Sequence, residues 1–543
     1  MLAPQMHAQP TEVLPPTLPI VVQVGFAGSR RLFATTDPGV QQSRIWEDLL
    51  LAQLIERLQT LPQRLGLGRQ HLLCGVSQLA VGADTLFTRA CQAMGLPQRL
   101  LLPQPGEAFL AAGAAGQPDF NVEDRERACQ LMTSAHIAEL RVASIADERG
   151  DRFEDTNAAI VRESDVVVCL LREGATGRPG GTHELMQRAR AAGKPVFALE
   201  VLLQDGQPVL SPWIDGAEGH HTFQPPGMPA ELQGMNFPAP TPGALPSAAA
   251  YIDAVRRFAS EKTRRHSGGF RRAAVAIIVM HIAATVLATL AAKGGQLWWI
   301  AGLLSGELLL LGVGLSTHHR LHHGGATRHW ALTRLLAETL RSLRSVADTA
   351  VNLDCARTLA FPDSFGPLLR TAAVLHGLQA LRLPRSEWFA ERDRYIGARL
   401  TGPSGQLNYF EQAARNAQRR LAWANAGFWV FSGTAFVVTT AKLAVLMGAA
   451  SEAMAPAISA WGGLLAIVLP VAAVGFLSWA AASDLEARIK TYGDMHVFLS
   501  AQLERLRRAD SPREFARCVR ETEMTILGEN LGWFSRRLFQ GVA

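Results

Sequence analysis

The chain has 543 residues, with 53 Lys and Arg against 47 Asp and Glu, a formal charge of +6 and a mean hydropathy of +0.09. Such a length holds several domains, and a hydropathy so close to zero excludes a transporter built almost wholly of membrane helices. The positive charge is mild and collects beside apolar runs, which argues against a nucleic-acid partner, and six cysteines with no C-x-x-C pair read as reduced thiols of a cytoplasmic protein.

Residues 1–18 lack a basic stretch followed by an apolar core, so no cleavable signal is expected and the segment reads as disordered. From 19 to 203 short Val-, Leu- and Ile-rich runs alternate with helical patterns. Ile20-Val24, His71-Cys74, Arg99-Leu102, Ile137-Val142, Asp165-Leu171 and Pro195-Val201 are the expected strands. Helices are expected near 43–65, 82–94, 122–135, 153–163 and 182–192. This alternation predicts an α/β, Rossmann-like parallel sheet covered on both faces, with ligands at the carboxyl ends of its strands.

Three segments following strands carry the residues such a ligand edge needs. Gly25-Phe26-Ala27-Gly28-Ser29-Arg30 is expected to follow the first strand, where small residues let backbone N–H groups approach a phosphate. Gly75-Val76-Ser77-Gln78 through Gly82-Ala83-Asp84 runs into a helix. Gly177-Arg178-Pro179-Gly180-Gly181-Thr182-His183-Glu184 opens another. Each alone is more often just a plain turn; three on one sheet edge point to a nucleotide-like ligand.

The order GFAGSRR, CGVSQLAVGADTLFTRACQAMG, LLPQPGEAF, SDVVVCLLREG and RPGGTHELMQRARAAGKPV resembles the SLOG superfamily. That group joins the DNA-processing Smf/DprA proteins, the LOG phosphoribohydrolases and related domains of TRPM channels. The resemblance implies a nucleotide pocket at Gly25, Gly28, Ser29, Arg30, Gly75, Ser77, Gly82, Asp84, Gly180, Gly181, Thr182 and Glu184. Phosphoribohydrolase members carry PGGxGTxxE, whereas Pro179-Gly180-Gly181-Thr182-His183-Glu184 lacks the extra x-Gly. Glu184 then falls in a first helical turn, where an acid is good capping. The domain is therefore expected to sense its ligand; catalysis through Glu184 and Arg178 is the alternative.

Residues 204–248 are dense in proline and read as a semi-rigid linker outside any core. A cation-bearing helix from 249 leads to apolar runs at 273–292 and 297–317, each about the length that crosses a hydrocarbon core. Arg271, Arg272, Arg320 and Arg328 flank the pair while Lys293 alone marks its loop, so both flanks are expected inside. Glu307 lies midway along the second run, where an acid should face protein or water; a ring of such residues lining a pore is one reading and a hydrogen-bonded acid the other. His281 reads as a packed or hydrogen-bonded residue. His318, His319, His322 and His323 lie at a membrane boundary without a nearby acid or Cys, so no metal is expected.

A helical connector is expected at 351–409, and 410–543 repeats the device with runs near 423–447 and 458–482. The expected total is an all-α membrane domain with four transmembrane helices, the first unit spanning 249–350. Arg328-His329-Trp330 through Arg344, WFAERDRYIGARLTGPSGQLNY from Trp388 to Tyr409, and Ile526-Leu527-Gly528-Glu529-Asn530-Leu531-Gly532-Trp533 resemble the SLATT group of two-helix membrane effectors. The two resemblances together imply a multi-pass protein of the bacterial inner membrane with cytoplasmic termini, acting in an anti-phage conflict system. They imply a nucleotide signal (an ADP-ribose derivative or a cyclic nucleotide) made by an enzyme encoded elsewhere, no resident cofactor, and a homo-oligomer that opens a pore. A scaffold or transporter-like protein with a vestigial sheet domain is a further alternative.

Overall fold

The computed structural model describes residues 18–33, 39–111, 113–114, 117–118, 120–146, 149–177, 179–215, 223–235, 237, 245–323, 326–447 and 455–539. Its chain divides into two compact units, one of residues 1–255 with 346–385, the other of 256–345 with 386–543.

In the first unit the strands are β1 (Ile20–Gly28), β2 (His71–Ser77), β3 (Gln98–Leu102), β4 (Gly113–Ala114), β5 (Gln117–Pro118), β6 (Ile137–Val142), β7 (Val166–Arg172), β8 (Val196–Gln204), β9 (Gln207–Leu210) and β10 (Ile214–Asp215). Between them run α1 (Gly39–Arg64), α2 (Ala83–Ala93), α3 (Gly106–Ala111), α4 (Val122–Met132), α5 (Arg149–Glu163) and α6 (Thr182–Ala191). The sheet order is β10-β8-β7-β1-β2-β3-β6, with β9 also on β8. The pairs β7–β8, β1–β7, β1–β2, β2–β3 and β3–β6 are parallel, as the alternation of runs predicts.

Successive side chains of a strand point to opposite faces, and the apolar runs fill both. Val166, Val168 and Leu170 join Leu50, Leu54 and Phe87 on the side of α1 and α2. Val167, Cys169 and Leu171 join Ile160 and Leu185 on the side of α5 and α6. The chain builds outward from β1 through β2, β3 and β6, then returns to the other side of β1 as β7. The switch point therefore lies between β1 and β7.

Two expectations change. The first strand does not end at Val24 but continues to Gly28, because its pairing with β7 runs on to Leu170. The proline-rich stretch is not wholly outside the core: β9 pairs antiparallel with β8, and Leu210 and Trp213 are buried in the sheet's core. Its Pro208 is tolerated because a strand on one side of β8 needs only half of its backbone groups paired.

Residues 346–385 also belong to the first unit. After α7 (Ala248–Ala291), α8 (Leu297–His323) and α9 (Ala326–Val346), this segment carries α10 (Cys355–Thr358) and α11 (Gly366–Ala380). α11 packs on β1 and β6, and Val374 shares a core cluster with Val21, Cys74 and Ala138. Gly377 is obligatory, since a Cβ there would overlap the Ala138 carbonyl.

The second unit contains the rest of α7, α8 and α9, then α12 (Trp388–Tyr395), a π-helical turn at Ile396–Thr401, α13 (Gln406–Leu446), α14 (Ala455–Ala482), α15 (Leu485–Arg508) and α16 (Pro512–Phe539). Three of its helical stretches, Leu297–Arg320, Trp388–Val445 and Trp461–Arg508, contain apolar segments long enough to cross a membrane, and Val275–Ala291 is a shorter apolar helix. Large side chains on them face outward: Leu308 is 71% exposed, Trp429 71% and Phe436 73%. So much uncovered apolar surface is stable only against lipid or another protein.

Small residues seat these helices on one another. A Cβ at Gly427 would lie 2.7 Å from the Phe476 ring, one at Gly475 3.0 Å from Ile282, and one at Gly306 3.2 Å from Leu287. His281 Nδ1 is 2.8 Å from the Ile277 carbonyl, in keeping with a hydrogen-bonded residue. Beyond the apolar stretches, Trp330 meets Trp533 edge-on at 5.4 Å and Arg334 lies 3.9 Å over the Trp533 ring.

Candidate functional site

The carboxyl edge of β1 is closed by interlocking backbone. A Cβ at Gly28 would overlap Ala83 and approach the Leu170 carbonyl to 2.8 Å, so only glycine fits. Ser29 N–H donates to Leu170 O at 2.9 Å, its Oγ accepts from Arg172 N–H at 3.0 Å, and its carbonyl accepts from Ala83 N–H at 3.1 Å. Gly82 has φ of 90°, and a side chain there would overlap the Arg30 carbonyl. The turns after β1 and β2 thus hold each other. Part of the N-terminus of α2 is already occupied by Ser29.

Asp84 is buried in the first turn of α2. One carboxyl oxygen accepts from Ala80 N–H at 3.3 Å, and the other has no partner among the described residues. Burial pushes this carboxyl up to about 7, against the pull of the Ala80 amide and of Arg30. For an acid whose folded value is raised, the contribution to stability is fully present below the unfolded value and is lost as pH rises through the folded one. Asp84→Asn is therefore expected to stabilise the protein more at pH 8 than at pH 5, measured as the difference in thermal midpoint. Equal shifts at both pH values would contradict a buried acid here.

At the switch point β7 leads through Gly180, with φ of 68°, into α6. The N-cap is Gly181, which has no side chain to cap the amides that follow, and such a terminus attracts anions. Glu184 accepts from Gly180 N–H at 2.6 Å, pairs with Arg188 Nε and lies 3.5 Å from Asn157 Nδ2. Its carboxylate is committed to the turn it closes. Asn157 also donates to the Gly181 carbonyl and accepts from Gln78 Nε2, both at 3.3 Å. This chain of amides ties the turn after β2 to the turn before α6.

Of the residues expected to meet a ligand, Gly28, Ser29, Arg30, Gly82, Asp84, Gly180, Gly181, Thr182 and Glu184 lie along this edge. Gly25, Gly75 and Ser77 lie within the strands. A Cβ at Gly25 would overlap Ser164, and one at Gly75 would come 2.9 Å from Phe87. Ser77 is fully buried, donating to the Gln78 carbonyl and accepting from Gln98 Nε2. These three shape the sheet; they do not face its edge. Arg178 lies outside the described residues.

The edge also receives side chains that no glycine turn announces. Arg30 stacks 4.8 Å from the Phe153 ring, and Arg152 donates to Ala146 O and Gln104 Oε1, both at 2.7 Å. Ser144 donates to Asp155 at 2.6 Å. Their common source is the first turns of α5, which a period-3.6 pattern marks only as a helix. A separate cleft of about 370 Å³ over α1, α2 and α4 holds Arg44, Arg89 and Arg127. Each of these pairs with a carboxylate, so the cleft offers no excess of positive charge to an anion.

Among the described residues no cluster of His, Cys, Asp and Glu has the makings of a metal site. No family model, curated protein or solved structure matches the chain. The fold and this edge define a class: a Rossmann-like sheet unit joined to helices apolar enough to cross a membrane.

Proposed function

We propose that this chain is a nucleotide-sensing membrane effector, with a SLOG-like sheet unit gating SLATT-like helices. The observation that carries the reading is the presence in one chain of a glycine-capped α6 terminus at the sheet's switch point and of apolar helices with uncovered outer faces. A phosphate of the ligand sits on the α6 amides, and Arg30, at the turn after β1, supplies a cation to the same ligand. Four helices cross the bacterial inner membrane, Val275–Ala291 serving as the first despite its shorter length, with both termini in the cytoplasm. The signal comes from an enzyme encoded elsewhere; the protein assembles with copies of itself and opens a pore that arrests growth.

Sensing is favoured over a LOG-like hydrolysis through Glu184 and Arg178 because Glu184 is engaged by Gly180, Arg188 and Asn157. A carboxylate so held is a poor base. The test is incubation of the purified chain with adenine and cyclic nucleotides, followed by product analysis. Saturable binding without breakdown is expected, and breakdown that disappears in Glu184→Gln would move the protein to the hydrolases.

Glu307 makes no hydrogen bond or ion pair among the described residues, and exposed Leu304, Leu308 and Leu311 surround it on α8. An acid at such depth belongs against protein or water. We therefore assign it to the conducting path of the oligomer. Glu307→Gln is expected to lower ion flux through reconstituted vesicles about tenfold, the scale of 1.4 kcal/mol. Unchanged flux and toxicity would remove Glu307 from that path.

A further inference from the structure

The chain passes between its two units at 255/256, 345/346 and 385/386. Tyr251 and Thr371, on first-unit sequence leading to two of these crossings, meet at the amino end of β1. Val21 N–H donates to Thr371 Oγ1 of α11 at 2.9 Å, and Thr371 donates in turn to the Pro367 carbonyl at 2.8 Å. Tyr251, in the opening turns of α7, is fully buried beside the same threonine. On either side of this point, Arg370 pairs with Asp165 at 2.7 Å, and Arg357 reaches Glu139 and Glu163 at 3.0–3.1 Å. β1 is the middle strand of the sheet, and its other end is the Gly28-Ser29-Arg30 turn.

We infer that β1 with α11 is the coupling element of the protein: a change at the carboxyl-edge turns is transmitted along the central strand to Thr371, and so to the segments that lead into the helical unit. The inference rests on the reading of that edge as the ligand edge. β1 is paired with β2 over Ile20–Phe26 and with β7 over Val24–Gly28, so the two ladders overlap in its middle and tie its ends together. Gly28 is wedged against Ala83 and Leu170 at one end, and the Val21 amide is held by Thr371 at the other. A ligand that moves the Ser29 turn also disturbs the Arg172 amide it accepts from, and Asp165, immediately before β7, binds Arg370. The same two strands therefore link the edge to both anchors of α11.

The test is hydrogen exchange on the full chain in lipid nanodiscs, and it needs no identified ligand. Gly82→Ala disturbs the edge directly through its positive φ, and Ser29→Ala does so more gently if the first variant fails to fold. Either is expected to speed amide exchange across 366–380 about fivefold or more, the scale of ordinary site-to-site coupling, with 55–64 of α1 unchanged. Because such coupling is reciprocal, Thr371→Val is expected to change exchange at 78–84 by a similar factor. Unchanged exchange at 366–380, or a uniform rise that includes 55–64, would overturn the inference. A chain that passes this test but binds no nucleotide keeps the coupling and loses the ligand reading.

Discussion

Replacing Arg399 with Met is expected to destabilise the helical unit by about 3–5 kcal/mol. Arg399 sits in the π-helical turn after α12 and grips Glu523 of α16 with two bonds, Nε to Oε1 at 2.8 Å and an Nη to Oε2 at 2.7 Å. Ser342 of α9 accepts a further N–H at 3.1 Å, and Tyr395 donates to Glu523 at 2.7 Å. Glu523 is 0% and Arg399 6% exposed at their side chains, so removal of the guanidinium strands a carboxylate away from water. The measure is thermal unfolding in detergent, where a drop of roughly 10 °C is expected for a unit of this size. Arg399→Met with Glu523→Leu is expected to recover most of the loss, because it removes both charges instead of one. A single variant as stable as the parent would show that the pair is not closed to solvent.

The second large effect is a loss of stability in acid. Glu139 lies among Arg99, Arg141 and Arg357. Burial alone would raise its carboxyl, but Arg99 and Arg357 outweigh that and hold it at about 2, below the ordinary 4.5. A lowered acid contributes stability that is fully present above its unfolded value and is lost as pH falls through its folded one. The contribution is worth about 3 kcal/mol, from 1.36 kcal/mol per unit, and it disappears between about pH 4.5 and 2. Urea unfolding across that window is expected to show a steeper fall for the parent than for Glu139→Gln, which has nothing to protonate at this position. Parallel curves would contradict the charge network that binds residue 357 to the sheet.

Much of the sheet unit is legible in the sequence because each buried strand is a short apolar run and each helix between them has a 3.6 period. Even the order of runs places the turns on one edge. The boundaries that shift do so for tertiary reasons. β1 extends through Gly25 to Gly28 because β7 offers it a partner, although the glycines read locally as a loop. β9 hides in a proline-rich stretch because proline density says nothing of an edge that lies waiting on β8.

The return of α11 is beyond any local pattern: Val21 and Thr371 are 350 residues apart. At the candidate site the glycines are visible, but their duties differ. Gly28 and Gly82 let two turns interlock, whereas Gly25 and Gly75 make room for Ser164 and Phe87 within the sheet. Asn157 joins two turns from the middle of a helix, and no spacing in the sequence marks it.

The most direct measurement is calorimetric titration of the full chain, in detergent, with a panel of adenine and cyclic nucleotides and analysis of the products. The full chain is needed because α11 completes the sheet unit. A nucleotide sensor predicts saturable heat from one species, recovered intact, and its loss in Arg30→Ala. Silence across the panel, or conversion of the bound species to a new product, would contradict it.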